Sequence, residues 1–156
     1  MKKPQEISAL ETKALINDAS KLVSSYPTVA LTVDCVIFGF EESKLKVLLI
    51  RSDLEVYKGR WSLLGDVVRD IEELDDAAYR ILNERTGMTN VYLDQVRSFS
   101  SPDRHPGGRV ITVAYCSLLN IRHHELMTTT NELHWHNLNG LKESDMAFDH
   151  KAIIDR

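Results

Sequence analysis

Residues 59–88 constrain the fold more than any other stretch of the chain. Gly59-Arg60-Trp61-Ser62-Leu63-Leu64-Gly65 leads into Asp66–Met88, which reads as a strand, a tight turn, an acidic loop and then a helix. Asp75 and Asp76 favour the helix start, because carboxylates complement the positive end of the helix dipole. Ala77, Ala78, Ile81 and Leu82 form an apolar stripe at helical spacing, and Gly87 is placed to cap the C-terminus. A loop and helix entered from a strand make a rigid platform for a site.

The flanking segments read mostly as strands. Residues 28–40 and 44–51 are β-rich and separated by Glu41-Glu42-Ser43, which predicts a hairpin. Alternation puts Asp34 on the face opposite Val33 and Cys35. Residues 52–58 form a polar loop, and Trp61 is expected to pack that loop against the core. Further strands are expected over 91–99, 110–119 and 133–138, with a closing helix over 143–156. Between two of these strands lies Ser100-Ser101-Pro102-Asp103-Arg104-His105-Pro106-Gly107-Gly108-Arg109, whose prolines, glycines and arginines suggest an ordered, ligand-facing loop. Residues 1–27 read as a leader helix outside the main domain of 28–156. Ser8 and Glu11 have capping-box spacing, Leu10, Leu15, Ile16, Ala19, Leu22 and Val23 make a loose stripe, and Pro27 stops it. Such a helix can lie on the domain or join a dimer contact.

At 156 residues the chain suits one domain with a full core. A net charge of −4 implies no strong attraction to nucleic acid or to an anionic membrane surface. The N-terminus lacks the apolar segment of a signal peptide, and Cys35 and Cys116 sit inside apolar runs. A cytoplasmic protein with free thiols is expected.

The central stretch resembles the Nudix box, the phosphate and metal element of the Nudix hydrolases, with pattern G-x5-E-x7-R-E-U-x-E-E-x-G-U. Glu72, Arg80, Leu82, Glu84 and Gly87 fall where that pattern asks. Asp66 stands at its opening glycine, Ile81 at the glutamate after the arginine, and Arg85 at the last glutamate. Diphosphate hydrolysis with a hard divalent cation needs several carboxylate oxygens converging on one spot. Ile81, Glu84 and Arg85, spaced three and four residues apart on a helix, are expected to share a face that offers one carboxylate only. Arg85 is expected to pair with Glu84 or with an anionic ligand, and Glu72 with Arg80 as a structural ion pair or a minor solvated one.

Two further segments are similar to Nudix-related transcriptional regulators. Asp103-Arg104, Pro106, Gly108 and Arg109 match their D-R-D-P-R-G-R loop, with His105 and Gly107 departing. Met146-Ala147-Phe148-Asp149-His150-Lys151-Ala152-Ile153-Ile154 resembles their L-A-F-D-H-x-x-I-L signature. The resemblance implies a Nudix α/β/α sandwich with a central mixed sheet. It implies an effector-sensing domain, with a sugar, as in the arabinose-responsive type, or ADP-ribose as effector. A homodimer is expected, with DNA contacted only through a winged helix-turn-helix domain outside this chain, of which 1–156 would be an excised N-terminal part or a trimmed relative. Arg51, Arg85, Arg104 and Arg109 are the candidate ligand-binding cations, and no catalytic residue, metal or cofactor is expected. The rival is a working hydrolase of ADP-ribose or another nucleoside diphosphate derivative, with Mg²⁺ held by Glu84 and Asp66 and help from Glu72 or Glu73. If degradation of the box is what silences the site, Ile81→Glu with Arg85→Glu is expected to restore metal binding. A second rival is a non-enzymatic dimerisation module.

The histidines point to little else. His134 and His136 share a strand face without a third ligand at useful spacing, and His123-His124 lies in a polar turn. His150, with Asp149, is expected to fix the closing helix against the sheet rather than to contact a ligand. No Ser-His-Asp arrangement is visible in the sequence.

Overall fold

β1 (Ala30–Glu41) is the strand on which the rest of the sheet is laid. The computed structural model describes residues 8–124, 126 and 132–156. β1 turns through Glu42 and Ser43, at φ 50° and 64°, into the antiparallel β2 (Lys44–Arg51). Two left-handed residues match the strand twist, so the expected hairpin forms in its tightest version. β3 (Trp61–Ser62) pairs with β2, and β4 (Leu64–Val67) pairs with β1. β6 (Val110–Asn120) runs parallel to β1, β5 (Asp94–Phe99) lies antiparallel to β6, and β7 (Leu133–Asn137) is antiparallel to β2. The mixed seven-stranded sheet has the order β3-β2-β1-β6-β5, with β4 and β7 branching from β1 and β2.

β1 is buried on both faces, as its nearly unbroken apolar run requires. Val33, Cys35 and Ile37 face α2 (Leu74–Thr86), which buries Ala77, Ala78, Ile81 and Leu82 against them. Gly87 ends α2 in the left-handed conformation at φ 75° and donates its N–H to the Asn83 carbonyl, a cap that only glycine adopts without cost. The opposite face, Val36 with Val47 and Leu49 of β2, packs on Met146 and on Ile153 and Ile154 of α3 (His150–Ile154). Helices therefore cover both faces of the sheet, giving the expected α/β/α sandwich. Val91 and Leu93 pack into the α2-side core before β5 begins, which is why that strand is shorter than 91–99.

The closing segment departs from the sequence expectation. Instead of one helix over 143–156, a 3₁₀ turn at Glu143–Asp145 and an extended link precede α3. Met146 bridges to Trp61, Ala147 donates to the Trp61 carbonyl at 2.7 Å, and Phe148 takes φ 52°. Pairing with β3 and a left-handed residue both forbid a continuous helix there. α1 (Ala9–Ser24) forms with the expected Ser8–Glu11 capping box, and none of its residues is buried. Residues 1–7 of the leader lie outside the described residues. Among the described residues no helix is long and apolar enough to cross a membrane.

Candidate functional site

A cavity of about 570 Å³ opens between the end of α2, the 100–109 loop and the start of α3. That size suits a small organic ligand. Its α2 wall is the central stretch of the sequence. Arg80 Nε and Nη2 hold Glu72 from both oxygens, at 2.8 and 2.6 Å, and Nη2 also donates to the Val67 carbonyl at 3.0 Å. Glu72 Oε1 accepts from the Arg69 N–H at 2.7 Å as well. The Arg80 hydrogen bonds bring the Glu72 carboxyl down to about 2, and Glu72 in turn raises Arg80. The loop is thereby tied to the helix.

The expected pairing of Arg85 with Glu84 does not form. Glu84 lies 3.2 Å from Arg69 and 3.3 Å from Arg80, which also stands 3.5 Å from Asp66. Nor do Ile81, Glu84 and Arg85 present one common face to the cavity. Ile81 is 1% exposed inside the α2-side core, because it belongs to the same stripe as Ala77, Ala78 and Leu82. Arg85 lines the cavity, and among the described residues it has no ion-pair or side-chain hydrogen-bond partner. Asp66, Glu72 and Glu84, three of the four candidate cation-binding carboxylates, are already paired with an arginine, and of the four only Glu73 has no ion pair among the described residues. No described group of three or more His, Cys, Asp or Glu residues is arranged to hold a metal ion. The donor set does not fit Mg²⁺, which wants a near-octahedral oxygen cage.

The other wall is a buried charge network. Arg104, 7% exposed, holds Asp149 through Nε at 3.0 Å and Nη2 at 2.7 Å, and Nη2 lies 3.7 Å from Asp34 Oδ2. Thr112 Oγ1 stands 2.7 Å from the same Asp34 oxygen. A side chain at position 65 would collide with Asp34 Oδ1, so Gly65 is what lets the β4 backbone pass this carboxylate. Phe148 is stacked on His105 at 5.0 Å between ring centroids, and Tyr57 packs against it at 4.5 Å. The cavity loops thus grip the entry to α3 at both Phe148 and Asp149.

Ser62, His150 and Asp34 also meet at this wall, a grouping with no trace in the sequence. His150 Nδ1 accepts from the Leu63 N–H at 2.9 Å and lies 3.1 Å from Ser62 Oγ, while Nε2 lies 3.7 Å from Asp34 Oδ1. A backbone N–H can only donate, so Nδ1 carries no proton and its single lone pair is already taken. His150 therefore cannot act as a base for Ser62, and the trio is not a nucleophilic triad. Burial pushes His150 down from the usual histidine range, with Asp34 and Asp149 opposing. His150 fastens the start of α3 to the β3–β4 junction, through Leu63 rather than Asp149.

The remaining candidates are distributed unevenly. Arg51 lies 3.6 Å over the Trp61 ring and donates to the Gly59 carbonyl, and Arg109 donates to the Ser100 carbonyl at 2.6 Å. Both line the cavity, as does Arg104. His136 lies against Trp61 at 4.2 Å, away from the cavity lining, and burial lowers its pKa.

The family model for the NUDIX domain matches residues 28–156. The chain belongs to the Nudix family. It is 34% identical over 137 residues to the ADPR responsive transcriptional repressor NtrR of Acinetobacter baylyi, covering 85% of this chain and 54% of that protein. The chain thus spans about half the length of that repressor. It is 33% identical over 127 residues to an ADP-ribose pyrophosphatase of Methanocaldococcus jannaschii, covering 80% of this chain and 70% of that enzyme. Among solved structures, the NUDIX domain of Shewanella oneidensis NrtR complexed with ADP ribose superposes with TM-score 0.74 at 26% identity, covering 88% of this chain and 94% of that one. The same Shewanella protein complexed with a 27mer DNA gives TM-score 0.72 at 28% identity, over 80% and 58% of the two chains.

Within this Nudix domain, the scaffold positions Glu72, Arg80, Leu82 and Gly87 do what their spacing suggests. Of the three helix positions considered for metal, Ile81 is apolar core, Arg85 is a cation, and Glu84 is paired with Arg69 and Arg80. What sequence reading missed was Asp34, Thr112 and Asp149 around Arg104. A polar residue inside the otherwise apolar run of β1 was the one available hint, and Asp34 is that residue.

Proposed function

We propose that this Nudix domain binds ADP-ribose as an effector and does not hydrolyse it. The observation that carries this reading is the state of the α2 wall: Arg85 faces the cavity, and Asp66, Glu72 and Glu84 are engaged by Arg69 and Arg80. Hydrolysis of a diphosphate at neutral pH needs a cation that polarises phosphorus and activates water. Here three carboxylates would have to leave their arginines, and a divalent ion would have to approach a guanidinium. Binding requires neither. The relationship to an ADP-ribose-responsive repressor favours ADP-ribose over a free sugar. In the wider reading this domain is the sensing part of a transcriptional regulator, and DNA contact belongs to a separate winged helix-turn-helix domain. The effector acts by favouring one of two arrangements of the protein, which it can do only by binding them unequally. A homodimer with α1 in the contact is part of this reading, as Leu15, Ile16, Leu22 and Val23 are exposed. Light scattering that gave a monomer would remove it.

A hydrolase reading is favoured by one finding, the 33% identity to an ADP-ribose pyrophosphatase. In it, Glu84 and Asp66, with Glu72 or Glu73, hold Mg²⁺ after their ion pairs open. A thermal-shift series separates the two readings. ADP-ribose, NAD and L-arabinose are added with Mg²⁺ or with EDTA, and AMP and ribose 5-phosphate are assayed afterwards. A ligand at 100 times its Kd stabilises by about 2.7 kcal/mol. A shift with ADP-ribose in EDTA and no product supports the sensor. A shift that requires Mg²⁺ and ends in product supports the enzyme.

A further inference from the structure

We infer that Arg85 stands in for the divalent cation of this site, so that the cavity takes the diphosphate of a nucleoside-diphosphate sugar through a guanidinium and without metal. The inference rests on the ADP-ribose reading above and names the group that would make it metal-independent. Four arginines line the cavity, and three have other work: Arg104 with Asp149, Arg51 with the Gly59 carbonyl and Trp61, and Arg109 with the Ser100 carbonyl. Arg85 has no such partner among the described residues. The acids nearest to it along the chain and across the loop do not cancel its charge. Glu84 is drawn away by Arg69 and Arg80, and Asp66 by Arg80. Of the other acids of the lining, Asp34 lies against Arg104, while Asp53 is two residues along the chain from Arg51 and Glu132 meets Arg51 through the backbone, its carbonyl accepting from the Arg51 N–H. The α2 end of the cavity is therefore the place with uncompensated positive charge.

A guanidinium presents paired N–H groups in one plane, which match two phosphate oxygens, and it stays charged at every physiological pH. A diphosphate lying against the last turn of α2 gains from Arg85 what a metal would otherwise supply for binding. It gains no activated water, since a guanidinium carries no labile aqua ligand, so the same substitution that permits binding removes the nucleophile. Arg85 also sits at the C-terminal end of a helix, where a cation complements the dipole. That role alone accounts for an arginine there and predicts no change in ligand affinity when it is removed.

The test is calorimetric titration of ADP-ribose, and separately of inorganic pyrophosphate, into wild type, Arg85→Ala and Arg85→Lys, each in EDTA and in excess Mg²⁺. Wild type should bind in EDTA with an affinity that Mg²⁺ does not increase. Arg85→Ala should lose about 10- to 100-fold, the range for a charged hydrogen-bonded pair, with only the small drop in melting temperature that loss of a helix-end charge brings. Arg85→Lys should fall between them, because it keeps the charge and loses the fork. Equal affinity in wild type and Arg85→Ala, or wild-type binding that needs Mg²⁺, overturns the inference while leaving ADP-ribose as ligand. Pyrophosphate binding in EDTA that depends on Arg85, without ADP-ribose binding, keeps the Arg85 subsite and overturns the ADP-ribose reading. Binding of neither ligand overturns both.

Discussion

The two walls of the cavity are built from the same chemistry, arginine against carboxylate, and they behave as different materials. On the α2 side, the Arg80–Glu72 tie is largely buried, but the outer pair is wet, the Arg69 and Glu84 side chains being 55% and 45% exposed. On the α3 side, the Arg104 and Asp34 side chains are 3% and 6% exposed. Water screens the outer pair and lets it open for little energy. The α3-side pair was taken out of water on folding, and each member depends on the other to offset that loss. One wall can yield to an incoming anion, and the other holds its shape. A binding site needs both, a rigid side that fixes the ligand's position and a side with charge free to meet it.

Cutting the buried network should have the largest effect. Arg104→Ala leaves Asp34 and Asp149 without their cation and should cost about 3–5 kcal/mol, read as a lower urea midpoint at pH 7. Ile81→Ala opens the α2-side core and should cost about 2–5 kcal/mol. Ile81→Glu should cost at least as much, because it also buries a carboxyl. Ile81→Glu combined with Arg85→Glu is therefore expected to unfold the domain before it builds a metal site, and Mg²⁺ should not rescue its melting temperature.

A smaller effect is set by pH. His150 is held neutral in the fold, below the ordinary value of about 6.5 that it has when unfolded. As pH falls through 6.5 the unfolded chain takes up a proton that the folded one refuses, so stability falls on acidification. The slope from this one group is at most about 1.4 kcal/mol per pH unit. Asn at 150 can offer its amide oxygen to the Leu63 N–H and cannot titrate. Denaturation of His150→Asn between pH 7.5 and 5.5, values chosen to span about the histidine range, should show a flatter dependence than wild type. Glu72 acts in a separate window: its folded value of about 2 means its contribution is present above the ordinary carboxylate range and is lost as pH falls towards 2. The smallest effect belongs to the exposed outer pair of the α2 wall. Glu84→Ala should change stability by about 0.2–1 kcal/mol and by less in high salt. A change of several kcal/mol there would erase the contrast between the walls.

What could be read from the sequence follows the distance over which each interaction acts. The Glu72–Arg80 pair lies within one supersecondary unit, eight residues apart, and the helix stripe and Gly87 are equally local. Arg104 and Asp149 are 45 residues apart, Asp34 and Thr112 78, and Ser62 and His150 88, so nothing in local spacing could join them. Arg104 looked like a free cation for a ligand because its partners arrive from β1 and α3. The spacing of Ile81 fits both the apolar stripe and the site face. The stripe won, because an aliphatic side chain at that position gains more from the core than from a wet cavity. The closing helix was overdrawn for a related reason: its helical pattern carried no sign that Met146 and Ala147 would pair with β3.

The most direct measurement is titration of ADP-ribose into the metal-free domain, followed by chromatography of the mixture. Metal-free sensing predicts saturable binding in EDTA and recovery of the ADP-ribose intact, with or without added Mg²⁺. Absence of binding in EDTA, with AMP and ribose 5-phosphate appearing once Mg²⁺ is added, would contradict it and make the domain an enzyme.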